Sequence, residues 1–428
     1  MAGEPCTGLW VVVRAGVIEE LASNCPGAIA VSNRFDRPDW ILLPGFLNSH
    51  CHLEFSDCQN PFPASQSFAE WIGTVVRHRM NRRGDAEAIR KAAIESGIVQ
   101  AWEMGTRFLL DTVTSPWRPE WIDDGLQAIQ QKLTPQARIV SGEEPIRIRP
   151  CVEVLDINQI RKCDTLSFFK SLQTKRKSFD LSPHAPYTAS NGFVKEVVSL
   201  ANHSNAIVSM HLAESHDEMD WLANKGGAFG TRLRPFRDDA FEREHAVLDD
   251  YMQSLLAAER LLIAHGNYLA NSHLQQIAKR FPNAAIVHCP RTYRHFQAEG
   301  REAYPMAQRV ALGVQHFLGT DSLASNPDLS LWREIQCIMT EGPVDAHVFE
   351  QHLQMITTQP AAFFRQNDLG TIESGRSALL NVVSNPQGWA DRTEQVLGEI
   401  RCTALHPRPL ELVISEAGGV DSRKEKVA

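Results

Sequence analysis

The chain has no Cys-x-x-Cys pair, no low-complexity segment and no apolar run approaching the roughly 20 residues of a membrane-spanning helix. Its nine cysteines, an odd number, are scattered from Cys6 to Cys402. That pattern argues against a disulfide framework and suits reduced thiols in a cytoplasmic protein. Positive charge is in deficit too: 43 Lys and Arg stand against 51 Asp and Glu, a formal net charge of −8. With no basic patch and no aromatic interleaving, neither nucleic acid nor an anionic membrane is expected as the main partner. No Lys or Arg precedes the first apolar run, Leu9 to Val13, and that run is too short for a signal-peptide core. A soluble, cytoplasmic protein is expected.

What is present suits a globular enzyme. The 428 residues are 43% hydrophobic and 22% charged, enough to bury a large core without staples. Residues 1–43 contain short β-prone pieces, Leu9 to Val13 and Ala28 to Ser32, between Gly, Pro and Asn. Ala378 to Val383 and Leu410 to Ile414 read as strands again near the other end. The expected arrangement is a small β-domain built from both chain ends, residues 1–43 and 371–428, flanking a central domain over 44–370. Ser422 to Ala428 reads as a frayed tail.

The central part alternates short apolar runs with helix-sized intervals. After Leu42 to Glu54 comes an amphipathic stretch, Asp85 to Met104, and then seven further apolar runs. These are Arg107 to Val113, Ile146 to Leu155, Ser178 to Ser182, Ala206 to Met210, Leu261 to Ala264, Ala284 to Val287 and Val310 to Leu318. Eight β-then-α units predict a (β/α)8 barrel.

Residues capable of chemistry follow these runs. His50 and His52 stand two apart, and in an extended strand both rings point to one side while Cys51 faces away. Alone, such a pair is weak, because it arises by chance in solvated loops. Downstream, however, His211 ends the fifth strand with Glu214 three residues on, His265 the sixth, His288 the seventh and Asp321 the eighth. In a barrel these strand ends converge on one face. Three histidines and an aspartate suit a mononuclear site for zinc or a similar divalent ion, with room for water because the set is not cysteine-rich. Such an ion lowers the pKa of its water from about 15.7 toward 7. Glu214 is placed to take that proton and pass it on.

Pro44-Gly-Phe-Leu-Asn-Ser-His-Cys-His-Leu-Glu54, Ser182-Pro-His-Ala-Pro-Tyr187, His211-Leu-Ala-Glu214, Ala264-His-Gly266, Val287-His-Cys-Pro-Arg291 and Gly319-Thr-Asp321 together resemble the amidohydrolase superfamily. They are most similar to its mononuclear aminohydrolase and chlorohydrolase branch, which includes deaminases of guanine, S-adenosylhomocysteine and aminodeoxyfutalosine. The resemblance implies a (β/α)8 TIM barrel with a flanking β-sandwich, and metal ligands His50, His52, His211 and Asp321. It further implies that Glu214 shuttles the proton, that His265 polarises substrate or steadies the attacking water, and that His184 contacts substrate. A histidine simply held in a turn between two prolines is the plain alternative for His184. Binuclear relatives bridge their metals with a carboxylated lysine after strand four, and no lysine lies between Leu181 and Ser190, so one ion per chain is implied. Zinc leads, with iron and manganese open.

The chain departs from the branch at Tyr293-Arg294-His295 and at Arg376 to Leu380. His288 and Arg291 are further substrate-contact candidates, Arg291 through a substrate carboxylate. A core histidine and an exposed charge are the plain readings of the two. Glu54 continues the His50–His52 spacing and reaches substrate if the strand persists. Gly226 to Asp239 reads as a loop over the pocket, with a plain surface insertion as the equal alternative.

The expected reaction is deamination of an amino-substituted purine-type base or nucleoside derivative, with metal hydroxide adding to the carbon that bears the amine. The alternatives are the same machinery acting on a C–Cl, amide or cyclic-ureide bond, and a non-catalytic barrel. The expected partner is a small heterocyclic molecule, and a homodimer is left open.

Overall fold

The computed structural model of the chain describes residues 8–384 except 28, 30–32, 65–66, 83–84, 174–178, 245, 298–305 and 341–344, together with 406–411, 413 and 414. The chain opens with an antiparallel hairpin of β1 (Trp10–Arg14) and β2 (Val17–Ala22) and continues into β3 (Trp40–Pro44). Eight parallel strands then follow one another in spatial as well as chain order. They are β4 (Phe46–Cys51), β5 (Thr106–Val113), β6 (Arg147–Val154), β7 (Asp180–Pro183), β8 (Val208–Leu212), β9 (Leu261–His265), β10 (Ala284–His288) and β11 (His316–Leu318).

The two ends of this sheet meet. Cys51 bridges Asp321 in parallel, and the N–H groups of Thr320 and Asp321 both donate to the His50 carbonyl at 3.1 Å. The result is a (β/α)8 barrel. Strands β5, β7, β8, β9, β10 and β11 are buried at every position. That follows from helices outside and side chains filling the inside, which makes such strands continuous apolar runs. All eight expected runs supply a barrel strand.

In the first crossover, α1 (Phe68–Met80) is followed by α2 (Ala86–Glu103), the expected amphipathic stretch. Asp85 caps α2 by accepting from the Ala88 N–H at 3.0 Å. Its Ile94, Ile98, Ala101 and Trp102, spaced three or four apart, are buried in the core.

A second, antiparallel sheet joins β3 to β12 (Leu380–Ser384) and β12 to β13 (Arg408–Pro409), so segments from both ends of the chain share it. Glu411 ties this region to the barrel. It accepts from Trp102 Nε1 at 2.8 Å and faces Arg107 at 3.4 Å, with neither side chain of that ion pair exposed.

Three local expectations are corrected. Val310 to Leu318 is not one strand: Met306–Ala311 is helical, Gly313 turns at φ +75°, and only His316–Leu318 is extended. Leu410, Glu411, Val413 and Ile414 are helical rather than extended. Gly226 to Asp239 is largely helical, with a helix at Gly227–Arg232 and a 3₁₀ turn at Arg234–Phe236, and Arg232 pairs with Glu70 of α1. Ala28 to Ser32, apart from Ile29, and Ser422 to Ala428 lie outside the described residues. Among the described residues no helix is long and apolar enough to cross a membrane.

Candidate metal centre and active site

The C-terminal ends of the barrel strands bring together His50 from β4 and His52 just after it, His211 from β8, His265 from β9 and Asp321 just after β11. The ring centroids of His50 and His52 lie 4.9 Å apart, and those of His50 and His211 4.8 Å apart. His52 Nε2 is 3.2 Å from His211 Nε2, while Asp321 Oδ1 is 3.7 Å from His52 Nε2 and 3.9 Å from His50 Nε2. Cys51, between the two histidines, turns into the apolar core.

Backbone strain concentrates at this rim. Ala213, His265 and Asp321 adopt φ of +53°, +67° and +54°, a region that residues with a side chain avoid. Each such residue costs about 1–3 kcal/mol and persists only where its surroundings over-determine it. Gly319 has the opposite role. A Cβ there would stand 2.8 Å from both the Cβ and the carbonyl oxygen of His50, so only glycine lets the last strand approach the first.

The donor set fits a divalent cation. Both ring nitrogens of His50 are buried without a hydrogen-bond partner, a costly state unless a ligand takes a lone pair. His211 Nδ1 donates to the His184 carbonyl at 3.0 Å, which leaves its Nε2 lone pair facing His52. The 3.2 Å between those nitrogens matches the edge of a tetrahedron whose arms are about 2.0–2.1 Å. Ser325 Oγ donates to Asp321 Oδ2 at 2.9 Å, so Oδ1 is the oxygen turned to the histidines.

Electrostatics agree with ligation. Burial, reinforced by neighbouring imidazoles, holds His50, His52 and His265 well below the usual histidine range. Burial likewise brings His211 down to about 4 and His184 to about 3. The rings are therefore neutral, as ligands must be. Burial raises Asp321 to about 6 and pushes Glu214 well above the carboxylate range, with Asp321 and Glu218 adding to the rise at Glu214. A cation among these groups would draw the carboxylates back down.

Glu214 Oε1 lies 3.4 Å from His265 Nε2, and both with Asp321 form a cluster whose ligand atoms are within 4.8 Å of one another. Glu214 also lines a cavity with Phe68, Asn267, Tyr268, Tyr293 and Phe296.

The remaining sequence candidates sit differently. His184 Nδ1 contacts Thr188 Oγ1 at 2.6 Å, and its Nε2 is 4.0 Å from Glu153. Glu54 is not on the strand: β4 stops at Cys51, and Leu53–Phe55 is a 3₁₀ turn. Its carboxylate accepts from Arg79 at 2.6 Å and Thr114 at 3.0 Å, with Arg82 and Arg90 beside it. His288, fully buried, pairs with His316 at 2.7 Å. Arg291 forms a two-pronged bond to Asp328 at 2.7 and 3.2 Å, so the fork expected to grip a substrate carboxylate is engaged within the chain. Of the atypical segment, Tyr293 lines the cavity, Arg294 reaches the Cys337 carbonyl, and His295 contacts the Phe62 carbonyl at 2.8 Å. Sequence reading passed over Glu153 and Glu218, each a single glutamate in a segment with no motif of its own.

A parallel barrel whose C-terminal rim gathers histidines and carboxylates is the frame of a metal-dependent barrel hydrolase. The chain belongs to the amidohydrolase family, whose model matches residues 41–398. A 5-methylthioadenosine/S-adenosylhomocysteine deaminase of Pyrococcus furiosus is 26% identical to it over 387 residues, 87% of this chain and 81% of the relative. Helicobacter pylori aminofutalosine deaminase, solved with methylthio-coformycin, matches with a TM-score of 0.70 at 21% identity, covering 93% of this chain and 92% of that one. Atrazine chlorohydrolase of Arthrobacter aurescens, solved with zinc, matches with a TM-score of 0.63 at 15% identity, covering 92% and 86%. The two solved structures are alike in fold.

Proposed function

We propose that the chain is a metal-dependent aminohydrolase that replaces the amine of a purine-type base or nucleoside derivative with oxygen, releasing ammonia. One observation carries this reading: Glu214, its side chain buried, stands 3.4 Å from His265 on the rim where His50, His52, His211 and Asp321 converge. The adenosine-type deaminase among its relatives supports the choice of leaving group.

His50, His52, His211 and Asp321 would hold one divalent ion per chain, with zinc the expected one. When bound, that ion supplies an acidified water, its pKa brought from about 15.7 toward 7. Asp321, its Oδ2 held by Ser325, would ligate through Oδ1 and orient the attacking water by accepting its hydrogen bond. Glu214 takes the proton and returns it to the departing nitrogen, a transfer that a carboxyl with a raised pKa performs near neutral pH. His265, neutral and buried, steadies the oxygen as it adds to the ring carbon. His184 touches the substrate from the neighbouring strand. The division into a barrel at 44–370 and a small β-domain from 1–43 and 371–428 is part of the same reading, supported by the pairing of β3 with β12.

The test is a panel of adenine, guanine, adenosine, its 5′-thioether analogues, aminodeoxyfutalosine and a pterin, scored for ammonia. A chlorinated triazine scored for chloride runs beside it. Ammonia from at least one compound is expected. Chloride without ammonia would move the assignment to the halide-releasing alternative.

A further inference from the structure

Glu153 ends β6 as Val-Glu-Val and is 7% exposed. Among the described residues no donor hydrogen-bonds its carboxylate, and His184 Nε2 stands 4.0 Å from it. Arg79 of α1 acts on its charge but donates to Glu54 instead, and the buried Arg79 Nε has no hydrogen-bond partner. A ligand atom of Glu153, one of His184 and one of His211 all lie within 4.8 Å of one another. Glu153 therefore faces the space beside the metal-binding histidines, three strands round the barrel from His265.

A carboxylate this little exposed and without donors gains nothing for the fold, so folding does not account for it. A ligand does. Two adjacent O–H or N–H groups would meet its two oxygens in charge-assisted bonds. His184, whose Nδ1 is held by Thr188 at 2.6 Å, forms the neighbouring wall. A phosphate or carboxylate substituent at the same place would be repelled.

We propose that Glu153 is the substrate-reading carboxylate of this site, and that it takes a pair of adjacent hydrogen-bond donors. Two sources carry that chemistry: neighbouring sugar hydroxyls, or the ring and exocyclic N–H groups of a base. The inference rests on the proposed function for what lies at the metal.

The probes are adenosine, 2′,3′-dideoxyadenosine and guanine. Their binding is measured by calorimetry on the zinc-loaded full chain carrying Glu214→Gln, alone and combined with Glu153→Ala or the isosteric Glu153→Gln. Zinc content and melting temperature are recorded for each. Adenosine or guanine is expected to bind, and Glu153→Ala to weaken that binding at least tenfold, with Glu153→Gln weakening it less. Dependence on Glu153 for adenosine, absent for the dideoxy compound, identifies the hydroxyls; dependence for guanine alone identifies the N–H groups. The proposal is overturned if neither adenosine nor guanine binds, or if both bind equally well in all three proteins. It is also overturned if the wild-type chain holds two ions and Glu153→Ala one, which would make Glu153 a metal ligand. Glu153-dependent binding without ammonia release by the wild type would sink the deaminase reading and leave this one standing.

Discussion

The carboxylate of Glu218 accepts the backbone N–H of Glu214 at 2.9 Å, so one buried glutamate holds the main chain of the other. It also accepts from Ala213 at 2.8 Å, the residue whose φ of +53° swings Glu214 toward His265. Glu218 is fully buried, and burial lifts its pKa to about 7. Glu218→Ala should lower kcat by about 10²-fold, the scale of a misplaced catalytic group. KM and metal content should change little. Glu218→Gln keeps one acceptor oxygen and should recover part of the loss. Wild-type kcat in the alanine variant would mean that the turn holds Glu214 unaided.

The metal prediction concerns His50, whose two ring nitrogens have no hydrogen-bond partner. His50→Ala and His211→Ala should each lose most of the bound metal and all measurable turnover. Asp111, which accepts the Leu53 N–H at 2.9 Å beside the site, supplies the control. Asp111→Asn should retain metal. Elemental analysis after gel filtration decides, and a full complement of metal in His211→Ala would remove that residue from the ligand set.

A pH prediction follows from Glu54. Burial favours its neutral form, but Arg79, Arg90, Thr114 and Arg82 outweigh burial and lower its pKa below the ordinary 4.5. A lowered folded value means stabilisation present above pH 4.5 and lost as pH falls through the folded value. Glu54→Gln in metal-free protein should therefore be less stable at pH 7 by about 3 kcal/mol, since it leaves Arg79 and Arg90 without their carboxylate while Arg82 keeps Asp57. The gap should narrow below pH 4.5. Urea unfolding from pH 7 to 3.5 checks this, and a gap that widens on acidification would contradict it.

The barrel was legible because most of its strands are buried on both faces and read as apolar runs, several ending in a chemical group, as in Leu-Leu-Ile-Ala-His265. The exceptions are local. Glu411 makes Leu410 to Ile414 look like an alternating strand, yet its carboxylate is drawn into Trp102 and Arg107 far away in the chain. Arg291 read as a free fork because its partner, Asp328, lies 37 residues on. Glu153 had no signal at all: within Val-Glu-Val it is a polar residue in a plain alternation, and only closure of the barrel turns it toward His184. Motif spacing reveals groups that act on one ion. It does not reveal which charges are already neutralised across the fold.

The measurement that bears most directly on the account is ammonia release by the wild type, by metal-stripped protein and by Glu214→Gln reloaded with metal, against the best compound of the panel. The account predicts turnover in the wild type, none after stripping, and recovery on adding zinc. Glu214→Gln should bind metal fully and be slower by about 10²–10⁴-fold, the range for loss of a general acid–base group. Wild-type rates in Glu214→Gln, or turnover that survives metal removal, would contradict it.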